Sequence, residues 1–447
     1  MRTLTGLALA VMLIMMSCAK EGNSPSGGNL DTQLSERLSE ISSGVGKENF
    51  ILPFHEDYSA HPADPLNPIT EEKVKLGKLL FHETALATSP KYSLAVGDYS
   101  CGTCHHAVAG FKTGVPQGIA EGGVGFGLAG TGRAKRGDYP VDSIDVQERR
   151  PPSTLNAGYQ PNVFWNGQFG VGALNVGTED RWDKVFLAEF NHFGYEGVET
   201  QTIAGQKLHG LNNAHNLVNI YPEYRIMFDE AFPDVPQEDR YNDITTALAM
   251  AAFVRTITTT EAPWQKWLRG NDAAMSSDQK EGALLFFGKA GCASCHTGKA
   301  LNSMTFHAFA FDDLKGPRVH RYEPHHEAHL GRYEFTGKDQ DKHKFKTPHL
   351  YNLTGNGHYG HGSSFNSVRD VVAYKNAGIP QKDIPEEYLS SQFVPLGLSE
   401  AEVDKITVFL EEALHDPDVE RYFPHSTPSG NCMPNNDQQS RFDVGCD

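Results

Sequence analysis

The chain has 447 residues, 39% of them hydrophobic, and a formal net charge of −17. That apolar content is enough for two ordinary domains, or one large one, with real cores, and it excludes a largely disordered protein. The acidic balance argues against nucleic acid or an anionic lipid surface as a partner and suits a basic soluble one.

The N-terminus reads "MRTLTGLALAVMLIMMSCAK". A single Arg2 precedes the apolar run Leu7 to Met16, which falls short of the roughly 20 residues a membrane span needs. Residues 1–17 therefore read as an export signal. Ser17-Cys18 looks like the end of a lipobox, which makes Cys18 a candidate lipid anchor for a periplasmic protein. Residues 18–48, opening on a Gly/Ser/Asn stretch, are expected to be a flexible tether.

Residues 49–265 form the first expected domain. "NPITEEKVKLGKLLFHE", from Asn67, has acidic residues after Thr70 and then apolar positions at helical spacing, so it predicts a helix capped by Thr70. "SCGTCHH" follows, with Cys101, Cys104 and His105. The stretch Gly114 to Pro152 is rich in Gly and Pro, and a loop of that length is expected to be functional or wrapped around something. "NDITTALAMAAFVRTITTTEAPW" predicts a helix capped by Asn242 that closes the domain.

Residues 266–430 form the second. "SSDQKEGALLFFGKAGCASCH" repeats the earlier plan: Gly-x-Leu-Leu-Phe at Gly77 and again at Gly282, each followed by Cys-x-x-Cys-His. The second motif supplies Cys292, Cys295 and His296. Ser399 and Glu402 predict a capping box for "LSEAEVDKITVFLEEALHD". The last segment, 431–447, is polar and bracketed by Cys432 and Cys446, which an oxidising compartment would join. Strand-like alternation is sparse, so the fold class is mostly α with long loops.

Zinc would explain four thiolates but not a histidine directly after each pair. A thioredoxin-like redox pair would want a βαβ setting that is absent. Covalent haem explains every residue: the cysteines form thioethers, and His105 and His296 bind iron from the same turn. His106 is expected to be a neighbour facing solvent.

Seven stretches in this order, "NPITEEKVKLGKLLF", "SCGTCHH", "RRPPSTLNAGYQPNVFWNGQ", "YPEYRIMFDEAF", "GKAGCASCHTG", "FKTPHLYNLTGNGHYGHGS" and "VPLGLSEAEVDKITVFLEEAL", resemble the bacterial diheme cytochrome c peroxidases and their MauG-type relatives. The resemblance runs from about Asn67 to about His415. It implies two cytochrome-c-like helical domains, each with one haem c. Hydrogen peroxide would react at the N-terminal haem, and a small c-type cytochrome or a cupredoxin would deliver electrons to the C-terminal one. No histidine lies in the loop Ser143 to Arg150, where many members carry a distal one, so the N-terminal haem is expected to be open.

The same resemblance places Gln206 where the family has a distal Glu, with Glu199, two helical turns earlier, or His209 as substitutes. It places Trp165 between the haems. It puts Lys375, with Tyr374 beside it, where the C-terminal haem takes its sixth ligand; Met304 is a further candidate, and His361 a hydrogen-bonding support. Calcium would fall to Asn156, Asn356 and His358, the last two through backbone oxygen. A homodimer stays open. The activity implied is peroxide reduction to water; the alternatives are MauG-type oxidation of a protein or organic substrate, or electron transfer without catalysis.

Overall fold

The computed structural model describes residues 29–355 and 357–446. The export signal, Cys18 and Asn356 lie outside them. The described chain is mostly helical, and its only strands are two short antiparallel pairs, Gly123–Val124 with Ala134–Lys135 and Phe306–His307 with Phe345–Lys346. None of its helices is long and apolar enough to cross a membrane.

The predicted caps form as the sequence dictates. Thr70 accepts from the Lys73 amide at the start of the Glu71–His82 helix. Asn242 accepts from Ile244 and Thr245 at the start of Asp243–Thr256. Ser399 and Glu402 close a reciprocal box on Glu400–Val408. Each cap satisfies amides that have no partner inside the helix.

The repeated Gly-x-Leu-Leu-Phe has one structural meaning in both halves. Gly77 lies where Glu71–His82 crosses Asp243–Thr256, and a Cβ there would overlap the Ala249 carbonyl. Gly282 lies where Ser277–Phe287 crosses Glu400–Val408, and a Cβ would overlap the Lys405 carbonyl. Only glycine lets the two backbones approach this closely. One hydrophobic core forms around each crossing. The first gathers Leu76, Leu80, Phe81, Ala249 and Phe253; the second gathers Ala283, Phe286, Phe287, Ile406 and Phe409.

Two ends of the chain differ from expectation. The second half of the expected tether, 18–48, is structured: Leu30–Ile41 is a helix that buries Leu34 and Leu38 in the second core. Their four-residue spacing puts both on one face. Asp31 accepts from Trp267 Nε1 at 2.6 Å and pairs with Lys280 Nζ at 2.6 Å, which fixes the helix in place. The tail crosses the other way. Val419 and Tyr422 enter the first core, and Cys432 and Cys446 are disulfide-bonded. Asp437 is buried against Arg133 at 3.0 Å, and the Pro434 carbonyl accepts from Ser100 Oγ at 2.9 Å, beside the first motif. The long loop 114–152 is thus held down by the tail.

Because the crossing glycines admit no side chain, Gly77→Ala and Gly282→Ala should each lower stability by about 1–3 kcal/mol through overpacking. The check is a fall in the thermal unfolding midpoint of each variant against the parent chain.

Candidate haem-binding site

Each motif folds as one tight turn. Cys101–Thr103 is a short helical turn boxed by Ser100 and Thr103, and the His105 amide reaches back to the Cys101 carbonyl at 3.1 Å. Cys292–Ser294 does the same, with the His296 amide 2.9 Å from the Cys292 carbonyl. None of the four cysteines is in a disulfide. Past each histidine the chain doubles back through an isolated bridge, His106 to Lys112 in the first half and Thr297 to Asn302 in the second. This return brings a carbonyl under each imidazole: His105 Nδ1 donates to Phe111 O at 3.2 Å, and His296 Nδ1 donates to Leu301 O at 3.1 Å. With the proton held on Nδ1, Nε2 keeps its lone pair for a metal.

Both motifs open into one continuous cavity of about 660 Å³, lined by Cys101, Cys104, His105, Cys292, Cys295 and His296. Phe81 and Phe286, the aromatic residues of the two repeats, line it as well.

The wall facing the first motif comes from the Gly197–Leu208 helix, which presents Gln201, Thr202, Gly205 and Gln206, with His209 just beyond its end. Gln206 is buried, and neither its amide nitrogen nor its oxygen has a hydrogen-bond partner. His209 Nδ1 is bonded to Asp145 Oδ2, and its carbonyl accepts from Tyr99 OH at 2.7 Å. Burial would lower the His209 pKa, but the charge and hydrogen bond of Asp145 outweigh it, and the net shift is upward. Burial, with a smaller contribution from His209, lowers the His105 pKa to about 4, and both rings line the cavity.

Glu199 does not join them. It shares a helix edge with Gln206, as seven-residue spacing requires, but Arg255 captures it: Nε and Nη2 bind its carboxylate at 2.8 and 2.6 Å, and Asn67 Nδ2 adds 3.2 Å. A buried guanidinium needs a counter-charge, and the fully buried Glu199 is the main one, with Glu196 adding a second contact at 3.2 Å. His106 also departs from expectation. It is buried rather than solvent-facing, packed on Phe126, and both of its ring nitrogens lack partners. Gly130, at φ +73°, lets the long loop close over the ring, since a Cβ there would strike His106 Nε2.

Trp165 lines the cavity and donates its indole N–H to Arg150 O at 2.7 Å. Its ring meets His361 edge-on at 6.2 Å, and His361 stacks on Phe345 at 3.6 Å. His361 Nε2 bonds Asp313 Oδ1 at 3.3 Å. Burial works against the Asp313 charge, yet His329, His361 and Lys382 hold its pKa well below the usual carboxylate range.

On the second motif's side, the Val368–Ala377 helix presents Val368, Val371, Val372 and Lys375 to the cavity. Tyr374 points away: its hydroxyl donates to Phe309 O at 2.6 Å and accepts from the Gln381 amide at 3.2 Å. Neighbouring helix positions diverge by a quarter turn or more, so the two cannot serve one site. Met304 is half-buried and does not line the cavity.

Lys112, Arg150 and Lys346 are buried cations that line the cavity with backbone or amide oxygens as partners and no ion pair among the described residues. Lys112 donates to Asn352 O at 2.9 Å, Arg150 to Thr113 O and Val115 O at 2.6 and 2.8 Å, and Lys346 to Gln160 Oε1. Burial pushes both lysines down to about 7 and Arg150 down to about 10. Sequence reasoning missed these residues, although a signal was present: Phe-Lys-Thr occurs at 111–113 and again at 345–347.

Of the calcium candidates, Asn156 is buried in a left-handed conformation, gives Nδ2 to Thr259 Oγ1 at 3.1 Å and leaves Oδ1 without a partner. His358 lines the cavity, with burial lowering its pKa to about 4. No cluster of three or more His, Cys, Asp or Glu suited to a metal occurs among the described residues.

Comparison with known proteins agrees with this geometry. The family model for di-haem cytochrome c peroxidase matches residues 71–273. Methylamine utilization protein MauG of Methylorubrum extorquens is 28% identical over 80% of this chain and 82% of its own length. Cytochrome c551 peroxidase of Pseudomonas aeruginosa is 25% identical over 72% and 76%. The crystal structure of a MauG-like protein associated with microbial copper homeostasis shares the fold at a TM-score of 0.59, with 21% identity over 83% of this chain and 97% of that one. The cofactors are two covalently bound haem c groups. The residues fit them: two thiol pairs, two imidazoles with Nε2 available, and unpaired buried cations to meet anionic propionates.

Because Glu199 neutralises Arg255, Glu199→Ala should cost about 3 kcal/mol in stability, as expected when one partner of a buried pair is removed. Thermal unfolding measures this, and the haem content per folded chain should not change.

Proposed function

We propose that this chain, whose residues 71–273 match the di-haem cytochrome c peroxidase family model, reduces hydrogen peroxide to water in the periplasm, with electrons from a small c-type cytochrome or a cupredoxin. The observation that carries this reading is Gln206, buried and lining the cavity with both amide atoms unpartnered. A buried amide left open costs free energy unless a ligand completes it. Peroxide both donates and accepts hydrogen bonds, so one molecule satisfies both ends.

Haem iron, when bound, supplies the redox chemistry, two electrons for each peroxide. The chain's own groups do the rest. Gln206 orients peroxide. His209, oriented by Asp145, which also raises its pKa, gives a proton to the leaving oxygen, which departs as water, and a second proton completes the second water. Val198, Phe169 and Leu211 line the same compartment and keep bulk water out. Trp165 offers an aromatic ring on the path between the two motifs. Glu199 is not assigned a part in this chemistry. Calcium, where bound, would take Asn156 Oδ1, which has no partner, and the backbone oxygen of His358.

A second reading, MauG-type oxidation of a protein or organic substrate, is favoured by one observation: no carboxylate from the Gly197–Leu208 helix reaches the cavity. Steady-state turnover separates the two. The first predicts peroxide-dependent oxidation of a reduced small cytochrome or cupredoxin; no turnover with any such donor leaves the second.

His209→Ala should lower kcat/KM for peroxide by about 10²–10⁴-fold, the range for loss of a positioned proton donor, with both haems retained. Asp145→Asn should shift the pH profile. Its carboxylate raises the His209 pKa, so the alkaline limb of kcat/KM should move to lower pH in the variant. An unchanged profile removes the pair from the mechanism.

A further inference from the structure

We propose that Lys375 is the second axial ligand of the haem iron carried by Cys292, Cys295 and His296, bound through its neutral amine. This rests on the haem c reading of the second motif.

Lys375 reaches the cavity from the last turn of the Val368–Ala377 helix, behind three valines on the same face. Its Nζ lies over the Phe309 ring, with the Phe311 and Phe393 centroids at 5.4 and 5.9 Å. It makes no hydrogen bond or ion pair among the described residues. That sets it apart from Lys112 and Lys346, each of which has an oxygen acceptor. The ring faces attract an ammonium, but full burial with no anion and no hydrogen-bond acceptor outweighs them and favours an amine with a free lone pair. Burial accordingly lowers its pKa well below the usual lysine value. The opposing influence comes from the Cys292 and Cys295 thiols, and thioether formation removes it.

Rival ligands on this side are already engaged. His349 lines the cavity, but its Nδ1 accepts from the Tyr351 amide at 3.2 Å, so in the neutral ring Nε2 carries the proton and has no lone pair to give. His307 has Nδ1 against Ser390 Oγ at 3.2 Å and Nε2 against Thr305 Oγ1 at 2.9 Å. Tyr374 is turned away, as described above.

The test uses the full-length holoprotein and reads electron paramagnetic resonance, near-infrared magnetic circular dichroism and midpoint potential. The ferric parent should show a low-spin, nitrogen-ligated component. Lys375→Ala and Lys375→Arg should both lose it to a high-spin form, because a guanidinium keeps the charge but cannot supply a lone pair. Lys375→Met should stay low-spin, gain a sulfur-to-iron charge-transfer band, and have a higher midpoint potential; it also controls for folding. His349→Phe should leave the low-spin component in place. If Lys375→Arg keeps the parent spectrum, the residue acts through its charge and the proposal fails. It also fails if the parent has no low-spin component. Thioether haem is quantified in every sample: none at Cys292/Cys295 would overturn the haem reading itself, whereas full haem with unchanged ligation overturns only the ligand assignment.

Discussion

Two backbone carbonyls, those of Phe111 and Leu301, govern how this site is built. Each holds the Nδ1 proton of a histidine and so directs the opposite nitrogen into the cavity. Neither carbonyl is placed cheaply. Phe111 and Leu301 both adopt left-handed backbone conformations, at φ 53° and 48°, that non-glycine residues rarely take. Such strain costs on the order of 1–3 kcal/mol and persists only where the surroundings enforce it. Here both side chains are fully buried in their respective cores, so packing holds the strained residue and the strained residue holds the imidazole. The segments between histidine and carbonyl, "HAVAGF" and "TGKAL", share almost nothing in sequence, yet both double back through one isolated bridge. Geometry is repeated where sequence is not.

The crossing glycines set the other side of each pocket. Gly77 and Gly282 let paired helices touch, and one turn later Phe81 and Phe286 enter the cavity. Phe286 stands 6.4 Å from the His296 ring, and Phe81 the same distance from Phe111. A single five-residue repeat thus specifies both a contact between backbones and a cavity wall.

This explains which parts were legible in the sequence. Caps, the repeat, the two motifs and the disulfide are local or follow from chemistry alone, and each could be read directly. The position of Gln206 on the cavity side of its helix was also readable. The fate of Glu199 was not, because periodicity gives a helix face but not which neighbour claims it; Arg255, 56 residues away, does so. His106 was misjudged because its cover is a loop closing through a positive-φ glycine, which leaves no periodic trace. The Leu30–Ile41 helix was hidden by its polar surface: only Leu34 and Leu38 are buried, too few to stand out in a polar stretch.

The ends of the chain complete the arrangement. The N-terminal helix packs on the second core, and the C-terminal segment packs on the first, so each half is closed by chain from the other end. Lacing of this kind resists separation of the halves and keeps one cavity continuous across both. Within that cavity the two compartments are chemically unlike. The first has an open amide and a hydrogen-bonded imidazole–carboxylate pair, which suit a small polar reactant. In the second, three valines of one helix and Phe309, Phe311 and Phe393 surround Lys375. The scaffold is nearly duplicated, and a few side chains on two helices, Gly197–Leu208 and Val368–Ala377, divide the labour between the halves.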